Sequence, residues 1–143
     1  MSLIIIAAIS ENNVIGKGDT IPWRVTKEDR EKYRGDMDHF KDLTMEHPIV
    51  IMGRKTYMSI PPKFRPLPER RNIVLSRNLE FVMDGVEMAH SMEEAIELCG
   101  NQSAYVAGGS EIYGQFLSHP LAGRMEITRI QRHFEGDSFF PEF

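Results

Sequence analysis

A chain of 143 residues, 41% apolar and 27% charged, falls within the usual span of one domain and can bury a core without cross-links. The formal net charge of −4 argues against general nucleic-acid affinity, which needs a concentrated basic face, so any phosphate must meet a local basic site. Cys99 has no second cysteine to bridge to and no Cys/His cluster has zinc-ligand spacing, so no metal is expected and a reducing, cytoplasmic compartment fits. The opening LIIIAAIS lacks a basic leader, is too short to cross a bilayer, and reads as a strand buried on both faces. NNVIGKGDTIPW follows as loop, punctuated by Asn-Asn, two glycines and a proline. From Lys27 to about Thr44 the spacing predicts one charged helix with Met37, Phe40 and Leu43 as a thin apolar stripe. Inside it a pattern repeats at seven residues: Asp29 leads to Tyr33 and Arg34, and Asp36 leads to Phe40 and Lys41. Seven residues is almost two helical turns, so both acids would face the same way.

HPIVIMG predicts a buried strand ending at Gly53, RKTYMSI the start of a helix, and PPKFRPLPERR a proline-rich loop. NIVLSR and VEMA read as strands, and SMEEAIELCG as a helix with Ser91 as N-cap and Glu94 completing a capping box. SAYVAGG is a strand ending in glycines, SEIYGQFL a helix, RMEITRIQRHF a strand, and EGDSFFPEF closes the sequence. Strands alternating with helices predict a single α/β domain over residues 1–143 with a mixed, mainly parallel central sheet between helical layers.

Two of these strands hand over to helices through glycine. After Gly53 come Arg54, Lys55 and Thr56, which suit a phosphate about as well as they suit a solvated helix start. Gly108 and Gly109 let a ligand approach backbone closely at the end of a second strand. In an open α/β sheet ligands bind beyond the carboxyl ends of strands, so the two glycine turns strengthen each other. Arg77 ends a third strand; with Arg54 it would suit a terminal phosphate monoester, favouring a phosphorylated dinucleotide.

IAAISENNVIG, IPW, DMDHFKDLT, PIVIMGRKTYMSI, RPLPERRNIVLSR, YVAGGSEIYGQFL and FEGDSFFP stand in one order from residue 3 to 141. Together they closely resemble the dihydrofolate reductases. The resemblance implies a dihydrofolate reductase-like fold and NADPH-dependent reduction of dihydrofolate to tetrahydrofolate, serving one-carbon and thymidylate metabolism. It implies that Ile6, Ala7 and Ala8 wall the pteridine pocket and that Ile15 to Trp23 form a mobile loop, with Ile21 and Trp23 at its closing end. NADPH would be held by Ala7, Ile15, Gly16, Gly53, Arg54, Lys55, Thr56, Leu75, Ser76 and Arg77, and by Gly108, Gly109, Ser110, Glu111 and Ile112 at the second turn. The family joins those last two glycines by a cis bond. Met37, Phe40, Ser59, Ile60, Leu67 and Ala107 would surround the substrate, Arg70 would grip its tail carboxylate, and Tyr113 and Thr128 would lie near the nicotinamide and behind the acid. Asp137 would steady the mobile loop.

The resemblance requires one catalytic acid and the repeat offers two. Counted from Trp23 the family spacing selects Glu28 or Asp29; counted back from Thr44, Pro48 and the IVIMG strand it selects Asp36. Asp36 is preferred, because an insertion spanning Arg24 to Gly35 can be absorbed before the helix, whereas one after the acid would displace the pocket. Asp29 is the alternative. Relatives usually continue past GDSFFP through two more strands, so the strand around Glu126 to His133 is expected to present an open edge and to pair with a second copy. Dihydrofolate and antifolates are the expected small-molecule partners, with neither nucleic acid nor membrane. A folate-binding relative without turnover, or a pyrimidine or flavin-precursor reductase of similar fold, are the competing readings.

Overall fold

The computed structural model describes residues 1–18 and 20–141; Asp19, inside the expected mobile loop, and residues 142–143 lie outside the described residues. The strands are β1 (Leu3–Ser10), β2 (Val14–Gly16), β3 (Ile49–Gly53), β4 (Arg71–Leu75), β5 (Glu87–Ala89), β6 (Ala104–Val106), β7 (Ala122–Ile130) and β8 (Ser138–Phe139). The α-helices are α1 (Lys27–Lys32), α2 (Arg34–Glu46), α3 (Arg54–Ser59), α4 (Met92–Cys99) and α5 (Ser110–Leu117).

Six strands form one sheet in the order β5-β4-β3-β6-β1-β7, and every pairing in it is parallel, so the sheet is more uniform than the mixed one expected. A parallel sheet needs cover on both faces, which explains why β1 and β3 read as unbroken apolar runs: Leu3, Ile5, Ile9, Val50 and Ile51 are completely buried. Burying each such side chain is worth about 1.5–3 kcal/mol. The chain steps outward from β3 through β4 to β5, then returns to insert β6 between β3 and β1. That reversal makes a crevice at the carboxyl ends of β1, β3 and β6, the place where open α/β sheets take ligands.

β2 and β8 make a separate antiparallel pair, Gly16 opposite Ser138, in segments where the sequence suggested only loop. On α4 the expected cap forms: Ser91 Oγ accepts from the Glu94 amide at 3.1 Å, while the Glu94 carboxylate reaches back to the amide of His90. The single helix expected from Lys27 to Thr44 is two. It breaks at Tyr33 (φ −107°, ψ 23°), whose ring meets Phe134 edge-on with 6.1 Å between centroids. A tertiary aromatic contact, followed at once by helix-weakening Gly35, overrides the local helical preference. Among the described residues no helix is long and apolar enough to cross a membrane.

Candidate active site

With the helix broken, the two acids no longer face the same way. Asp36 lies in the first turn of α2 and is 7% exposed, whereas Asp29 on α1 pairs with Arg132 at 2.9 Å, well apart from it. The indole Nε1 of Trp23, itself 1% exposed, donates to Asp36 Oδ2 at 2.9 Å. Arg24 Nη2 donates to the same oxygen at 2.9 Å. Asp36 Oδ1 is buried with no partner. A buried carboxylate oxygen left bare is costly, so the arrangement is suited to accept a further donor.

One turn along α2 from this acid, Phe40 meets two apolar clusters. Ile6 belongs to a buried cluster with Ile4 and Tyr105, and Phe40 and Ala107 pack against it. The same Phe40 and Ala107, with Ile60 and Leu67, cover a second cluster of Val50, Met52, Tyr57 and Val74. Phe40 therefore links the acid's helix to both walls. Tyr113 donates its hydroxyl to the Ile6 carbonyl at 2.8 Å, and burial pushes its phenol well above the ordinary range, with the Arg24 charge pulling the other way. It stays protonated as that donor. Thr128 stands beside Ala8 in the β1–β7 register, and Met37 is 46% exposed, outside both clusters. Ser59 Oγ turns inward to the Thr56 carbonyl at 2.6 Å.

Arg70 lies at the other end of α2. Its Nη1 donates to Thr44 Oγ1 at 2.8 Å and its Nε to the Pro68 carbonyl at 3.0 Å, and burial holds the guanidinium below its usual value, opposed by Glu69. The buried Thr44 served in the sequence only as a spacing anchor and was given no role in the site; its position one helical turn after Phe40 was the available signal.

The glycine turns meet as well. The Gly53 amide donates to the Gly108 carbonyl at 2.8 Å, and the Gly108–Gly109 bond is cis. Gly108 has φ +118°, and a side chain there would press on the Tyr113 ring; one at Gly53 would reach Ile112 at 3.0 Å, and one at Gly109 would meet Thr56 Oγ1 at 3.3 Å. A side chain at any of the three would crowd a neighbour, and at Gly108 the positive φ disfavours one as well. Exposed Arg54 stacks over Phe81 with 4.3 Å to the ring centroid, Lys55 is exposed beside it, and Ser76, buried next to Leu75, accepts from the Asn78 amide. Arg77 reaches across to Glu111 at the start of α5, joining the two turns. Ser110 Oγ donates to the Phe139 carbonyl, and Ile15 packs on the main core. Lys, Arg, Thr and Ser donors around a backbone cradle match the chemistry of a phosphorylated dinucleotide.

A dihydrofolate reductase family model matches residues 2–143. The chain belongs to the dihydrofolate reductase family. It is 44% identical over 143 residues to a dihydrofolate reductase of Neisseria gonorrhoeae, covering 99% of this chain and 80% of that relative. It is 40% identical to the type 3 dihydrofolate reductase of Salmonella typhimurium, covering 100% of this chain and 80% of that one. Among solved structures, an Enterococcus faecalis dihydrofolate reductase complexed with NADP(H) and RAB-propyl superposes with a TM-score of 0.83 at 33% identity, covering 99% of this chain and 77% of that one.

Within this family fold, three residues emerge that sequence reasoning did not assign. Phe134 packs against Trp23 at 5.6 Å between centroids as well as against Tyr33. Asn12 clasps the Phe134 backbone from both sides, donating to its carbonyl at 2.8 Å and accepting from its amide at 3.1 Å. Arg24 is the third. Asp137, as expected, engages the loop: both its oxygens accept from the Gly18 amide at 3.0 Å.

Proposed function

We propose that the chain reduces 7,8-dihydrofolate to 5,6,7,8-tetrahydrofolate with NADPH, in the cytoplasm, supplying one-carbon and thymidylate chemistry. The observation that carries the reading is Asp36: a buried carboxylate under Trp23, one oxygen unpartnered, at the rim of the apolar clusters closed by Phe40. A 2-amino-4-oxopteridine presents two parallel N–H donors on one edge, and a carboxylate accepts such an edge in a bidentate pair. NADPH, when bound, supplies the hydride that C6 of the pterin receives. Asp36 holds the pterin oriented and stabilises its cationic form, while water admitted past Ile21 delivers the proton to N5. Phe40, Ile60 and Leu67 enclose the aminobenzoyl group, and Arg70, held by Thr44 and Pro68, takes the tail carboxylate. Arg54, Lys55, Thr56, Ser76 and Arg77 hold the cofactor's phosphates, Arg77 giving up Glu111 to do so.

Asp36→Asn is expected to lower dihydrofolate reduction at neutral pH by about two to four orders of magnitude, with NADPH affinity retained. Asp29→Asn is expected to stay active; the reverse result would move the acid. NADPH oxidation followed at 340 nm separates the competing readings. Methotrexate-sensitive loss of absorbance supports the reductase, folate binding without loss supports a binding relative, and neither supports a pyrimidine or flavin-precursor reductase. As a second proposal, copies of the chain pair through β7, the outer strand, whose free side faces no strand among the described residues. Sedimentation at micromolar concentration checks it; a monomer with unprotected β7 amides overturns it.

A further inference from the structure

Arg24 is placed where the reading above puts substrate. Asp36 Oδ2 already accepts from Trp23 Nε1 and Arg24 Nη2, both at 2.9 Å, which occupies the two lone pairs of that oxygen. Only Oδ1 is open, and the Nε of Arg24 is likewise buried without a partner. A bidentate edge needs both oxygens, so one existing donor has to leave. Trp23 is completely enclosed and cannot withdraw; the Arg24 side chain is 30% exposed, with solvent to retreat into.

The chemistry of the two rivals is the same. The edge of a pterin that faces a carboxylate, N3–C2–NH2 with N1, is a guanidine closed into a ring, and Arg24 carries an open one. We infer that Arg24 is a built-in competitor for the pterin edge, engaging Asp36 in the unliganded protein and setting the affinity of the slot for its substrate. The inserted segment holds it in place: Arg30 Nη1 on α1 donates to the Arg24 carbonyl at 3.3 Å and the Val25 carbonyl at 3.0 Å. α1 is anchored in turn by Asp29 to Arg132. Substrate binding releases Arg24 from Asp36, so apparent affinity is reduced by the fraction of molecules in which the pair is closed.

This inference rests on Asp36 as the pterin acid, and the test separates the two. Dihydrofolate dissociation constants are measured on the NADPH-loaded protein for the parent, Arg24→Met, Arg24→Lys and Asp36→Asn. Arg24→Met is expected to bind dihydrofolate about tenfold tighter, the worth of one charge-assisted hydrogen bond no longer competed away. Arg24→Lys, which keeps the charge but not the planar fork, is expected to tighten severalfold and guards against a Met variant that fails to fold. Millimolar methylguanidinium is expected to compete with dihydrofolate in Arg24→Met and to have little effect on the parent, a response that a structural role for Arg24 would not produce. Unchanged or weaker dihydrofolate binding in folded Arg24 variants, with Asp36→Asn losing it, overturns the competitor while leaving the acid in place. Parent-like dihydrofolate binding by Asp36→Asn overturns both.

Discussion

Asp36 and Asp29 have the same local pattern and different fates, and the difference is made by contacts. One is drawn under Trp23; the other meets Arg132 at the surface. Arg70 illustrates the same point for a cation. Half-buried and fixed by Thr44 and Pro68, it has its fork oriented before any ligand arrives, which lowers the ordering cost of a bidentate pair. Arg70→Ala is expected to raise KM for dihydrofolate about tenfold or more while leaving a pterin without the glutamate tail unaffected, as steady-state kinetics with both substrates will show. An equal loss for both would place Arg70 away from the tail.

At the scale of elements, the pairing of β2 with β8 depends on a contact too tight for any side chain. A Cβ on Gly136 would lie 2.3 Å from Val14 Cγ1 and 2.6 Å from the Gly16 carbonyl, where β2 meets the segment leading into β8. Gly136→Ala is therefore expected to cost about 1–3 kcal/mol, read as a lower urea midpoint at unchanged slope, because the Gly16 carbonyl is backbone and the Val14 side chain is enclosed in the core. Asp137 follows directly and holds Gly18, so the substitution should disturb that contact together with stability. The short helix α1 shows how an insertion becomes an element. Thr26 caps it by accepting from the Asp29 amide, Arg30 secures its approach, and Tyr33 ends it by turning to Phe134.

Across the whole molecule, the outer strands of the sheet are held differently. On the β5 side, Arg71 forms a fork with Glu87 at 2.7 and 2.6 Å and also reaches the Leu98 carbonyl, tying β4 to β5 and α4. The hydrogen bond from Arg71 holds the Glu87 carboxyl below its ordinary value of 4.5, outweighing burial. A depressed folded-state value means the pair's contribution is present above the unfolded value and lost as pH falls through the folded one. Both side chains are more than a third exposed, at 39% and 37%, so the contribution is screened. Glu87→Gln is expected to lower stability by about 0.5 kcal/mol at neutral pH and to converge with the parent in acid below the folded-state value, measured by urea unfolding across the pH range. A difference that persists in acid would assign the loss to packing.

Much of this fold was legible in one dimension because the signals are local. An isoleucine-rich run marked β1, apolar runs leading into glycine marked β3 and β6, Ser91 with Glu94 marked the start of α4, and ordered motifs carried the family. Such features depend on backbone preference and burial periodicity, which neighbours in sequence determine. Spacing back from the IVIMG strand already favoured Asp36 over Asp29; what the sequence could not decide was where the long charged helix breaks and which cation sits on Asp36. Those outcomes depend on Trp23 packing against Phe134, whose backbone Asn12 holds from a distant turn, and on an arginine whose partner lies twelve residues away across a helix break. Contacts between segments far apart along the chain select among local alternatives of nearly equal energy, so only the folded arrangement reveals them.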